Sequence, residues 1–153
     1  MIKQIKFVSI PVADQNRALD FYMEKLGFTI ITDQPFDEKQ RWIELRIPKA
    51  ETRVVLFTAE GDEKRIGSFM NMSYTCDDID KTYEQLKNRG VEFEGPPQKQ
   101  PWGTYAMFKD SEGNRFVVPR TERVETRPCG ARSPRRGSYA KCKSHDITVV
   151  TLA

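Results

Sequence analysis

The chain opens with a period of two. In "IKFVSIPV", residues 5–12, Val8, Ile10 and Val12 point to one side and Phe7, Ser9 and Pro11 to the other, the pattern of a half-buried strand. Asp14 then stands where a helix N-cap belongs, ahead of "QNRALDFYMEKLG". In that run Ala18, Leu19, Tyr22 and Leu26 recur at helical spacing, and Gly27 suits the stop. Three strands are expected next, over residues 28–33, 41–47 and 52–58, with Pro35, Asp37, Pro48 and Lys49 as the punctuation between them.

The same grammar then restarts. "SFMNMSYTC" reads as a strand, Asp78 as an N-cap, and "IDKTYEQLKNRG" as an amphipathic helix closed by Gly90. The strands "VEFEG", "TYAMFKD" and "NRFVVP" complete the unit. Asp14 and Asp78 lie 64 positions apart, and Gly27 and Gly90 lie 63 apart. Two copies of strand–helix–strand–strand–strand, about residues 1–60 and 66–120, predict an α+β domain over residues 1–120. One such unit would leave a face of its sheet uncovered, so the two must pair.

Composition narrows the class without changing this pattern. With 153 residues, 38% hydrophobic and 31% charged, the chain can bury one sizeable core. No stretch of about 18 apolar residues is present, so no membrane partner is expected. The net charge of +3 belongs to the end of the chain. Residues 121–153 hold seven of the 25 basic groups and three of the 22 acidic ones, which leaves 18 against 19 in residues 1–120. A near-neutral body offers nucleic acid no electrostatic footprint. The segment 121–153, with its "CGARSPRRGSY", is expected to be a basic, disordered extension, and its final "ITVVTLA" could add one strand to a free edge. Three widely spaced cysteines fit a reducing cytoplasm better than a disulfide framework. Within the extension Cys129, Cys142 and His145 offer a metal three ligands but no convincing fourth.

The paired units, the opening "FVSIPVADQNRALDFYMEKLGF", the central "CDDIDKTYEQLKNRGVEF" and the closing "GTYAMFKDSEGNRFVV" together resemble the vicinal oxygen chelate superfamily, the group of glyoxalases, bleomycin resistance proteins and extradiol dioxygenases. The turn "KDSEGN" is the most specific piece, similar to that family's Asp-Pro-Asp-Gly-Asn hairpin with Ser111 in place of proline. The resemblance implies two βαβββ repeats forming a curled, cup-shaped mixed sheet with helices outside. It also implies, for the enzymes, a divalent metal held by His and Glu from equivalent strands of both copies. Carried over one by one, those positions fall on Phe7, Val55, Asn71 and Val117. The sole histidine, His145, lies in the extension. A catalytic transition-metal site needs about three His, Cys, Asp or Glu ligands. The expectation is therefore a family member with no metal, no cofactor and no catalytic residue.

Strand alternation nominates what lines the cup instead. On it should lie Phe7 and Ser9, Trp42, Glu44 and Arg46, Phe57, Asn71 and Ser73, and Tyr105 and Met107, with Trp102 at the approach. Such a surface suits a flat, partly apolar small molecule. Two other readings stay open. One is a glyoxalase- or dioxygenase-like enzyme that recruits Glu44, Asn71 and Ser73 as atypical ligands. The other is a structural dimer whose aromatic face is interface, in which case these residues are packing and Glu44 with Arg46 a solvent-facing pair. A homodimer is expected in any case, because two such units leave sheet edges to be closed. Cys76, at a strand end, reads as a small packed residue and not a nucleophile.

Overall fold

The first repeat is built on a four-stranded sheet in the order β1-β4-β3-β2, from β1 (Phe7–Ile10), β2 (Thr29–Pro35), β3 (Arg41–Arg46) and β4 (Arg53–Leu56). The computed structural model describes residues 1–120, so the expectations placed on 121–153 lie outside the described residues. Between β1 and β2 runs helix α1 (Gln15–Asp20), which continues as a π-helical turn, Phe21–Lys25, where the sequence pattern predicts uninterrupted α-helix. The second repeat repeats the plan with β5 (Phe69–Ser73), α2 (Ile79–Asn88), β6 (Glu92–Phe93), β7 (Gln98–Gln100), β8 (Gly103–Lys109) and β9 (Arg115–Pro119). Its path is β5-β9-β8-β6, with β7 also on β8. The strand expected from "VEFEG" is shortened to Glu92–Phe93, and β7 is a further strand that the sequence pattern does not predict. Gly95, Pro96 and Pro97 intervene, and prolines cannot donate to a ladder.

The local chemistry that sets these elements is the chemistry of the sequence. Asp14 Oδ1 accepts from the amides of Asn16 and Arg17, both at 3.0 Å, and Asp78 Oδ1 accepts from Lys81 N at 3.1 Å. Gly27 (φ 74°) and Gly90 (φ 78°) end the two helical segments in the left-handed region that an L side chain would strain. Each sheet turns one face to a single shared core. Ile10, Ile43, Leu45, Val54 and Leu56 contribute from the first, Met70, Phe108, Phe116 and Val118 from the second, with Phe21, Tyr22 and Phe28 between. Alternation then leaves Phe7, Ser9, Trp42, Glu44, Arg46, Asn71, Ser73, Tyr105 and Met107 on the opposite, open faces.

The turn Asp110–Asn114 fastens the two repeats. Asn114, fully buried, donates from Nδ2 to Pro11 O (2.9 Å) and Asp110 Oδ2 (2.8 Å), and its Oδ1 accepts from Gly67 N (2.8 Å). Tyr22 donates its hydroxyl to Asp110 Oδ2 at 2.7 Å. Glu112 reaches the start of α1, accepting from Ala13 N (2.7 Å) and Asp14 N (3.2 Å) and pairing with Arg17 at 2.7 Å. Burial, with the nearby Tyr74 and Asp110, pushes the Tyr22 phenol well above its ordinary value, and burial does the same to Tyr74.

Candidate functional site

On the open face of the first sheet the strand register sets out three rows. Phe7, Arg53, Arg46 and Thr29 form one, and Ser9, Val55, Glu44 and Thr32 the next. In the third, Trp42 stands beside Gln34, with Phe57 following β4 on its other side. Aromatic rings bridge these rows. Phe7 meets Trp42 edge-on at 5.3 Å between centroids, Trp42 lies 5.5 Å from Phe57, and Phe36 closes on both at 6.0 and 4.9 Å. Val55 belongs to the middle row and not to the core cluster, yet it is 0% exposed. The small side chains of Ser9 and Val55 leave room for the Phe7 and Trp42 rings to meet over that row. Phe36 remains 58% exposed and Phe7 37%, so the cluster offers ring surface to solvent.

The polar groups on this face differ from the pairing expected of Glu44 and Arg46. Glu44 is 6% exposed, and its Oε1 accepts from Arg53 Nη1 at 2.7 Å. Arg46 and Arg53 share the row next to Glu44, and it is Arg53, across the β3–β4 ladder, whose guanidinium meets the carboxylate. A carboxylate that deep needs a partner, and β4 supplies it. No local sequence signal marks Arg53 as Glu44's partner, since the two meet only through strand pairing.

The open face of the second sheet carries a separate group. Trp102, 66% exposed, stacks on Tyr105 at 5.1 Å and 22°, and the Tyr105 hydroxyl donates to Gln98 Oε1 at 3.1 Å. Met107 stands opposite Val117 on this face, and Lys109 opposite Arg115. Both cations have carboxylates: Lys109 with Glu92 at 2.7 Å, which raises the lysine pKa, and Arg115 with Glu94 at 3.8 Å. Asn71 lies where the β5–β9 register slips, four steps of β5 spanning two of β9, and is exposed.

The hollows bordered by described residues take in the nominated residues only in part. Tyr105 and Met107 border a cleft of about 40 Å³ with Glu94 and Gln98. Ser73 borders one of about 520 Å³ with Val8 and Cys76. A larger hollow of about 800 Å³ lies between the start of α1 and the β2–β3 hairpin. It went unforeseen, but its amides are committed. Gln15 bonds Arg41 N and O and Leu56 O, and Gln40 bonds Thr58 N and O. None of these three is bordered by Phe7, Trp42, Glu44, Arg46, Phe57 or Asn71. Phe7 and Asn71 sit on β1 and β5, each at the end of its own sheet. Cys76 is half-buried, its Sγ 3.7 Å from Pro119 O, and burial raises the thiol pKa, which suits packing.

The family model for the glyoxalase/bleomycin resistance protein/dioxygenase superfamily matches residues 4–118. The chain belongs to that superfamily. Protein YetH of Bacillus subtilis (strain 168) is 41% identical over 121 residues, covering 77% of this chain and 98% of YetH. A superfamily member from Sphaerobacter thermophilus DSM 20745 superposes with a TM-score of 0.72 at 34% identity, over 78% of this chain and 98% of its own. TnmS3, an antibiotic binding protein from Streptomyces sp. CB03234, does so with a TM-score of 0.70 at 33% identity, over 79% and 98%.

Superfamily membership makes the metal question concrete. At the four positions that the resemblance assigns to ligands, Phe7, Val55 and Val117 have no donor atom, and Asn71 is a weak one. Among the described residues no group of three or more His, Cys, Asp or Glu could hold a metal ion. Phe7, one of those four positions, carries a ring that meets Trp42 edge-on. The residues present do not fit the superfamily's metal. Among the described residues no helix is long and apolar enough to cross a membrane.

Proposed function

We propose that the protein is a metal-free small-molecule-binding member of the superfamily that holds a flat, partly apolar ligand against Phe7, Trp42, Phe57 and Phe36 without turning it over. The observation that carries this is the four-ring cluster on an open sheet face, presenting exposed ring surface beside Phe7 and Val55, two positions that the resemblance assigns to metal ligands. Offset and edge-on rings accept a further ring in either geometry, each contact worth about 0.5–1.5 kcal/mol beyond area burial. Kinship with TnmS3, an antibiotic binding protein, supports a small organic ligand. No histidine, the side chain whose ordinary pKa lies nearest neutral, is present in residues 1–120.

The working unit in this reading is a cytoplasmic homodimer. β1 and β5 each end a sheet, and Phe7, Phe36, Phe69 and Trp102 expose apolar surface, all of which a two-fold partner would cover. Asn71, Ser73, Trp102, Tyr105 and Met107, which belong to the second sheet, would then complete the site from the partner chain. The test is thermal unfolding with panels of flat aromatic compounds, alongside metal analysis of the purified protein. A binder at 100 times its Kd should add about 2.7 kcal/mol to stability. Stoichiometric metal, or turnover abolished by chelator, would contradict the reading.

A further inference from the structure

We propose that the ligand is an aromatic anion, a planar ring system bearing a carboxylate or comparable acid, and that Arg46 with Arg53 reads its charge. This rests on the small-molecule reading above and adds the ligand's chemical class. Arg46 and Arg53 stand directly opposite each other across β3 and β4, an arrangement that like charges disfavour. Among the paired strand positions of this face one carboxylate, Glu44, is present, and it is committed to Arg53 at 2.7 Å. Among the described residues Arg46 makes no ion pair and is exposed.

The second sheet supplies the contrast. There the opposed cations Lys109 and Arg115 each have their own carboxylate, Glu92 and Glu94. The first sheet's open face otherwise carries Thr29, Thr32, Gln34, Ser9 and Val55, none of them charged, so it is left one positive charge in excess. That excess adjoins the rings: Phe7, which touches Trp42, is the residue paired with Arg53 on β1. A ring lying against Phe7 and Trp42 would place an acid substituent in the arginine row. Glu44 would hold the Arg53 guanidinium in place while Arg46 accepts the anion, with its planar fork suited to two-point recognition of a carboxylate. The same arrangement disfavours cations, since the sole carboxylate is buried and already paired.

The experiment compares 2-naphthoate, 2-naphthamide and 2-naphthylmethylammonium, three probes of one shape and different charge, by ligand-observed NMR titration of the full chain. The naphthoate is expected to bind about tenfold or more tightly than the amide, with the ammonium weakest. Raising the salt from about 50 to about 500 mM should narrow that gap. Arg46 is exposed, so Arg46→Gln folds, and it should remove the naphthoate preference while leaving the amide's affinity unchanged. Trp42→Ala should weaken both. Equal affinities for naphthoate and amide, or a preference for the ammonium, would overturn the charge assignment while the aromatic site stands. Failure of all three to bind would overturn both.

Discussion

Replacing Asn114 by alanine should loosen the joint between the repeats, and the structure gives the size of the effect. The side chain is fully buried and makes three hydrogen bonds, to Pro11 O, Asp110 Oδ2 and Gly67 N. The bond to the carboxylate is worth about 1.5–3 kcal/mol and each neutral one about 1 kcal/mol. Truncation also leaves the Pro11 carbonyl and Gly67 amide without this partner in a buried setting, so a loss of about 4 kcal/mol is expected. Against a typical total of about 5–15 kcal/mol, that is a large fraction. With a urea slope of about 1.5–2 kcal/mol/M, the unfolding midpoint should fall by about 2–3 M with the slope unchanged. Ser111→Ala, in the same turn and holding only a 3.4 Å bond to Arg17 O, is the control and should stay within about 0.5 kcal/mol. A fall of less than about 0.5 M for Asn114→Ala would refute the claim that this turn joins the repeats.

Three further outcomes follow from particular groups. The Tyr22 phenol donates to Asp110, whereas the Tyr74 hydroxyl is buried without a protein partner; in urea melts Tyr22→Phe should cost about 1–2 kcal/mol and Tyr74→Phe should be neutral or stabilising. Both phenols have folded pKa values raised above the ordinary 10.0, so the stability they contribute is complete below about pH 10 and is lost as pH rises beyond it; Tyr22→Phe should flatten the alkaline decline in Tm. Asp78 has its folded pKa lowered by the Lys81 amide, so its contribution is present above the ordinary 3.8 and is lost as pH falls through the folded value; Asp78→Asn, which still caps, should lose less stability than wild type in acid melts below about pH 4.

Much of the fold is legible in the sequence because its signals are local. Asp14, Gly27, Asp78 and Gly90 punctuate both helices through their own backbones, and Val8, Ile10, Ile43 and Leu45 declare their face by alternation alone. The π-turn at Phe21–Lys25 was not legible, since side chains at helical spacing fit it equally well. The slip in β5 escaped for a related reason: it is set by pairing with β9, 46 residues on, not by "FMNMS" itself. In the candidate site the face of each residue could be read but not its company. Period two places Glu44 beside Arg46 in sequence, while the ion pair joins it to Arg53 on another strand. It likewise gathers Phe7 and Tyr105 on open faces without saying that these belong to different sheets. Phe36, in the loop after β2, lay beyond any periodicity, though it completes the ring cluster.

The most direct test of a metal-free aromatic site is the affinity of chelator-treated wild type and of Trp42→Ala for 2-naphthoate. Wild type should bind with the same affinity before and after chelator treatment. Trp42→Ala should bind about 5- to 150-fold more weakly, the range of a central aromatic anchor at 1–3 kcal/mol, while losing less folding stability than the 3–5 kcal/mol of a core aromatic. Binding that chelator abolishes, or that Trp42→Ala leaves unchanged, would contradict the account.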